Sequence, residues 1–99
     1  MIWTQQLITQ WADKTFGTAY NAAIIGTRAN NEMAELLTNL AANPDGSEAT
    51  LEEIADVVIV LKRLAGMCGG DLDAAIDRKM DINVKRDWTL RGDGTGVHK

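Results

Sequence analysis

The chain has 99 residues, 45% hydrophobic and 24% charged, which supplies one small core and excludes a multidomain enzyme, a collagen-like repeat and a chain too polar to fold. Ten basic residues against fourteen acidic ones give a formal net charge of -4, and no basic run is longer than Lys62-Arg63. That balance excludes the basic surface by which a nucleic-acid binder releases counterions from phosphates.

In chain order, Trp3, Leu7, Ile8 and Trp11 recur at helical spacing and predict a short amphipathic helix that gives way near Phe16-Gly17-Thr18. A second helix is expected from about Asn21 to about Ala42, with Ile24, Ile25, Met33, Leu37 and Leu40 among its apolar positions. Asn43-Pro44-Asp45-Gly46-Ser47 breaks it, because Pro and Gly disfavour helix and Asp and Ser favour turns. The third helix starts at a capping box read in Thr50-Leu51-Glu52-Glu53 and ends near Gly66. Its run Ile54, Val57 to Leu61 and Leu64 leaves little polar surface, so it is expected at the centre, covered on several sides. After Gly69-Gly70, Asp71 caps a fourth helix running from Leu72 to about Asp87. From about residue 89 the glycine-rich Arg91 to Lys99 reads as a flexible tail or flap without regular structure. The expectation is a single all-α domain over residues 1–99, a four-helix bundle. A core this small favours its completion by oligomerisation.

Cys68, the only cysteine, forms no internal disulfide and no cysteine-based zinc site, which fits a reducing compartment. No apolar run approaches the roughly 20 residues that cross a bilayer, and Met1-Ile2-Trp3-Thr4 lacks the features of a signal peptide. The expected setting is cytoplasmic, in a cell or an infected host, with no membrane partner.

The chemistry concentrates in two helices. Glu32 and Glu35 in the second, and Glu53 and Asp56 in the third, are each three residues apart and share one face of their helix. Opposed side by side, the two faces would bring four carboxylates together, which like charges tolerate only with cations between them. Oxygen ligands without His or Cys suit Mg²⁺ or Mn²⁺. A redox di-iron site lacks its Glu-x-x-His pairs, since the only histidine is His98. Taken alone, Glu32 and Glu35 fit an ordinary solvated face better than a metal site. Asp56 interrupts an apolar helix, which leaves a metal ligand and a buried ion pair with Arg or Lys as its two readings. The four carboxylates equal the whole formal charge of -4. In the fourth helix Lys79, Asn83 and Arg86 lie on one stripe, a cation, an amide and a second cation suited to phosphate oxygens, or else a solvated basic face. Trp11, Phe16 and Trp88 offer aromatic faces, and Gln6 and Gln10 offer amides, the groups that stack on a flat heterocycle and read its edge. In the tail, Asp93 and His98 are candidate lid residues, and a frayed terminus is the alternative.

The order Glu32-x-x-Glu35, Glu53-x-x-Asp56, Lys79-x-x-x-Asn83-x-x-Arg86, with Trp11-x-x-x-x-Phe16-Gly17 before it and Arg86-Asp87-Trp88 and Asp93-Gly94-Thr95-Gly96 after it, resembles the all-α nucleoside triphosphate pyrophosphohydrolases, the MazG-like and dimeric dUTPase-like superfamily. Many members carry a further glutamate just before the first pair, where this chain has Asn31. The resemblance implies hydrolysis of a nucleoside triphosphate, preferably a deoxynucleotide, to monophosphate and pyrophosphate, for control or house-cleaning of nucleotide pools, including those of a growing phage. It implies Mg²⁺, with Mn²⁺ as the variant, held by Glu32, Glu35, Glu53 and Asp56, with Glu32 or Glu35 as general base. Lys79, Asn83 and Arg86 would bind substrate, and the protein would be a homodimer or homotetramer. The competing reading is a non-catalytic helical oligomeric module that binds nucleotide or a protein partner.

Overall fold

The computed structural model describes all residues, 1–99, and shows four helices followed by a small hairpin: α1 (Gln5–Phe16), α2 (Ala22–Ala42), α3 (Glu48–Met67), α4 (Leu72–Asn83), β1 (Trp88–Leu90) and β2 (Gly96–His98). Each helix starts at a residue whose side chain accepts from a free amide of the first turn. Thr4 accepts from Leu7 N, Asn21 from Ile24 N, Ser47 from Thr50 N and Asp71 from Ala74 N. Gly17, at φ 85°, ends α1 in a conformation that only glycine adopts without strain.

The start of α3 differs from the sequence expectation. The capping box joins Ser47 and Thr50, one turn earlier than Thr50 with Glu53. The Ser47 amide donates to Thr50 Oγ1, and that hydroxyl donates to Asn39 Oδ1 near the end of α2. The loop is thus fastened to both helices, and α3 folds back antiparallel along α2 in the most extensive packing of the chain. Relieved of capping, the Glu53 carboxylate is available for the site.

The core stripe of α2 is Ile25, Ala29, Glu32 and Leu36, spaced by four, three and four, so a carboxylate takes a core position. Helix α1 buries Ile8 and Ala12 and lies across α3. The Gln5 amide ties its start to the α3–α4 turn, donating to the Gly70 carbonyl at 2.7 Å and accepting from the Leu72 amide at 2.8 Å. Helix α4 packs chiefly on α3, more lightly, and ends at Asn83 rather than about Asp87. The Asn83 carbonyl accepts from the Trp88 indole at 3.0 Å and from the Arg86 amide, which closes the helix with a tight turn.

The tail is ordered, against expectation. Trp88, Thr89 and Leu90 pair antiparallel with His98, Val97 and Gly96. Gly92 and Gly94 take positive φ in the connecting loop, so these glycines make the turn rather than dissolve the structure. A Cβ at Gly96 would meet the Thr89 carbonyl oxygen at 3.1 Å.

The expectation that α3 is covered on several sides fails in the single chain. Ile54, Val58 and Ile59 keep 42%, 38% and 40% of their surface exposed. Only eight residues are buried, among them the large aliphatics Ile8, Ile25 and Leu36. At about 1.5–3 kcal/mol for each such side chain, that core is slender for a domain of this length.

The three-way contact at the α2–α3 turn predicts that Thr50→Val, which keeps shape and removes the hydroxyl, lowers stability by about 1–2 kcal/mol in urea unfolding. An unchanged unfolding midpoint would show that the turn does not depend on this hydroxyl.

Candidate metal and nucleotide site

Because α2 and α3 run antiparallel from a short loop, the face of α2 bearing Glu32 and Glu35 lies beside the first turns of α3. The structure brings together one carboxylate oxygen each from Glu32, Glu35 and Glu53, all within 4.8 Å of one another. Glu32 is buried, Glu53 half-buried and Glu35 exposed, so the cluster grades from core to solvent. Burial raises the Glu32 carboxyl above 4.5, its ordinary value; the charges of Glu35 and Asp56 and a hydrogen bond with Glu35 push the same way, against the opposing pull of Arg28. Arg28, one turn earlier on α2, forms an ion pair with Glu32. Glu53 Oε2 is buried and has no hydrogen-bond partner. A buried carboxylate oxygen without a donor, beside two other carboxylates, is costly unless a cation serves it. The donor set is all oxygen and fits a hard divalent ion such as Mg²⁺ or Mn²⁺.

Asp56 lies one turn beyond Glu53, outside the group of three oxygens but near enough for its charge to act on Glu32. It does not make the buried ion pair that was its alternative reading, since the ion pairs are Arg28–Glu32, Lys62–Asp73 and Arg63–Asp13.

From the acidic cluster a cavity of about 590 Å³ opens between α1, α2 and α3. Glu32 and Asp56 stand in its wall, and Trp11 and Phe16 close the α1 side. Their rings meet edge to face, centroids 5.4 Å apart at 85°. Ile24, Ile25, Ile59 and Val60 make much of the remainder apolar. A flat, mostly apolar body with an anionic end fits this arrangement of aromatic wall and metal-binding carboxylates.

The other expected site residues lie elsewhere in the chain. Lys79 is exposed and Arg86 half-buried on the α4 side, and neither pairs with the carboxylates. The Asn83 Oδ1 is buried without a partner. Trp88 was grouped with Trp11 and Phe16, but it stands on the hairpin and not in their cavity, because its indole is used to end α4. His98 lies across from it in register, rings 6.1 Å apart. The hairpin strands pack chiefly on each other. Asp93 is engaged through one oxygen: its Oδ1 accepts from the Thr95 amide at 2.9 Å and from the Thr95 hydroxyl at 2.6 Å, and these bonds hold the carboxyl below its ordinary value. They place it in the hairpin turn.

Two cavity residues escaped the sequence analysis. Arg28 was legible as the i−4 partner of Glu32. Arg63 was hidden in the basic pair Lys62-Arg63, although it sits two helical turns from Asp56 and therefore on the same face of α3. It is buried, and its Nη2 donates to Asp13 Oδ1 at 3.1 Å and to the Gly17 carbonyl at 2.8 Å.

Comparison with known proteins agrees with this geometry. The model of the dATP/dGTP pyrophosphohydrolase family matches residues 4–97. A dATP/dGTP diphosphohydrolase of Salmonella phage PMBT28 is 38% identical over 95 residues. These are 95% of this chain and 30% of that protein, so the chain spans less than a third of the length of this relative. Among solved structures, the cyanophage S-2L MazG-like pyrophosphohydrolase, bound to dGDP and three catalytic Mn²⁺ ions per active site, superposes with a TM-score of 0.73. Sequence identity is 26%, over 96% of this chain and 92% of that one. With its helical fold, its carboxylate cluster and a match over nearly its whole length, the chain belongs to the dATP/dGTP pyrophosphohydrolase family, within the MazG-like superfamily.

Proposed function

We propose that this chain hydrolyses a purine deoxynucleoside triphosphate between its α and β phosphates, releasing monophosphate and pyrophosphate, with Mg²⁺ or Mn²⁺ as cofactor. The observation that carries the reading is the convergence of Glu32, Glu35 and Glu53 from two helices, one with an orphaned buried oxygen, beside a cavity that Glu32 lines together with Trp11 and Phe16. The names of the relatives, with dATP and dGTP as substrates and dGDP as ligand, support the purine deoxynucleotide.

Glu32, Glu35 and Glu53 hold the metal, and Asp56 completes the set from the cavity side. A divalent ion held there would supply positive charge to offset that of the phosphates and to lower the pKa of a water. Glu32 or Glu35 receives the proton of the attacking water. Trp11 and Phe16 hold the base in the cavity, which fixes the phosphate chain against the carboxylates. Lys79, Asn83 and Arg86 are the candidates for phosphate and sugar contacts, by their match to the motif of the superfamily.

The protein acts as a homodimer or homotetramer. Its radius of gyration is 15.8 Å, against about 13 Å for a compact domain of 100 residues. The exposed apolar residues of α2 and α3, Met33, Leu37, Leu51, Ile54 and Val58, need cover. No helix is long and apolar enough to cross a membrane. The phage relative supports a phage-encoded enzyme acting in the cytoplasm of its host.

Incubation with dGTP or dATP and Mg²⁺ is expected to yield pyrophosphate and monophosphate, and none with EDTA. Orthophosphate with diphosphate would contradict the bond assignment. Asp56→Asn and Glu53→Gln are each expected to lower kcat by about 100-fold or more with unchanged helical circular dichroism, and full turnover would remove the residue from the site. A raised Glu32 carboxyl stabilises the fold below its unfolded value and loses that contribution as pH rises through its folded value. In metal-free buffer Glu32→Gln is therefore expected to melt above the wild type at neutral pH, with the difference vanishing in acid. Mn²⁺ should raise the Tm of the wild type and leave that of Glu32→Gln nearly unmoved; an equal rise in both would contradict ligation by Glu32.

A further inference from the structure

Arg63 is the one charged side chain of the cavity that the proposed chemistry leaves without a task. Glu32 and Asp56 are assigned to the metal, and Arg28 is paired with Glu32. Arg63 lies seven residues after Asp56 on α3, so the two share a face about 10 Å apart along the helix axis, with Ile59 and Val60 between them. The cavity thus has a carboxylate end and a guanidinium end.

The state of the guanidinium indicates what it binds. Its charge is already balanced by Asp13, and the Gly17 carbonyl takes a second bond, both through Nη2. Nε is buried with no partner, and Nη1 makes no hydrogen bond within the chain. A buried N–H donor without an acceptor is costly, and an incoming neutral acceptor would relieve it. A compensated ion pair has little reason to attract a phosphate, whereas its unpaired N–H groups suit a neutral acceptor. The bonds to Asp13 and Gly17 also fix the end of α1, where Phe16 meets Trp11, so the donor and the stacking wall are held as one unit.

We propose that Arg63 is a specificity-determining residue that donates a hydrogen bond to N7 of the purine, an inference that rests on the nucleotide-hydrolase reading above. N7 is the acceptor that adenine and guanine share on one edge and that pyrimidines lack, and arginine is a frequent donor to it. Selection for both purines together then follows from one contact, without a group that reads the 6-substituent.

The test compares dGDP with 7-deaza-dGDP, in which C–H replaces N7, by calorimetric titration of the full chain in Mn²⁺, alongside KM and kcat for the two triphosphates. In the wild type the 7-deaza analogue is expected to raise Kd and KM about tenfold with little change in kcat. In Arg63→Gln both purines should bind at the weaker level, with the contrast gone. Arg63→Met, which keeps much of the length and removes every donor, should also lose it and serves if Arg63→Gln fails to fold. Equal Kd for the two ligands in the wild type, or a full tenfold contrast in either variant, would overturn the assignment. Turnover of dGTP with no N7 contrast overturns this inference and leaves the hydrolase reading standing. Binding of dGDP with the contrast but no turnover of any triphosphate supports the inference and sinks hydrolysis; failure to bind either ligand overturns both.

Discussion

Burying a carboxylate beside other carboxylates is the constraint on which this structure depends. Glu32 occupies a position in the core stripe of α2 where its neighbours are Ala29 and Leu36, and it faces Glu35 and Glu53 across a few ångströms. An apolar residue there would have packed at no electrostatic cost. Arg28 balances one charge from the half-exposed side, and that leaves the cluster net anionic. The sequence thus accepts a local penalty in a fold with few buried side chains to offset it, as expected where function and not packing fixes the residue. A divalent cation reverses the sign of the effect, turning mutual repulsion into shared attraction.

The remaining architecture serves to hold the two acidic helices at this distance. Ser47, Thr50 and Asn39 fasten the α2–α3 turn, and the cap they form leaves Glu53 free to face α2. Arg63 and Gln5 then bind α1 to the pair at its two ends, through Asp13 and Gly17 on one side and Gly70 and Leu72 on the other. With α1 in place, Trp11 and Phe16 complete the cavity beside the carboxylates. Polar ties do much of the positioning because the hydrophobic core is slender, and the apolar surfaces left over are available for association of chains.

Much of this was legible in the sequence, for reasons that can be stated residue by residue. Pro44 and Gly46 broke the helices where the structure breaks them, and Asp71 is the cap expected of it. The i, i+3 spacing of Glu32 with Glu35 placed their carboxylates together, since a helix face is fixed by periodicity alone. The capping box was misplaced by one turn because Ser47 and Thr50 both have cap chemistry, and only the tie to Asn39, distant in sequence, selects the first. The hairpin was missed because Gly92 and Gly94 are as compatible with a frayed tail as with a tight loop; pairing of Trp88 with His98 decides it, and that is a contact across ten residues. Burial of α3 was overestimated because composition reports what needs covering, not what a single chain supplies.

Anomalous diffraction from Mn²⁺-loaded crystals of this chain tests the central claim most directly. The account predicts an anomalous peak within coordination distance of the carboxylates of Glu32, Glu35 and Glu53, with Asp56 turned towards it. A loaded crystal with those oxygens free of metal, or with manganese held only at other residues, would contradict it.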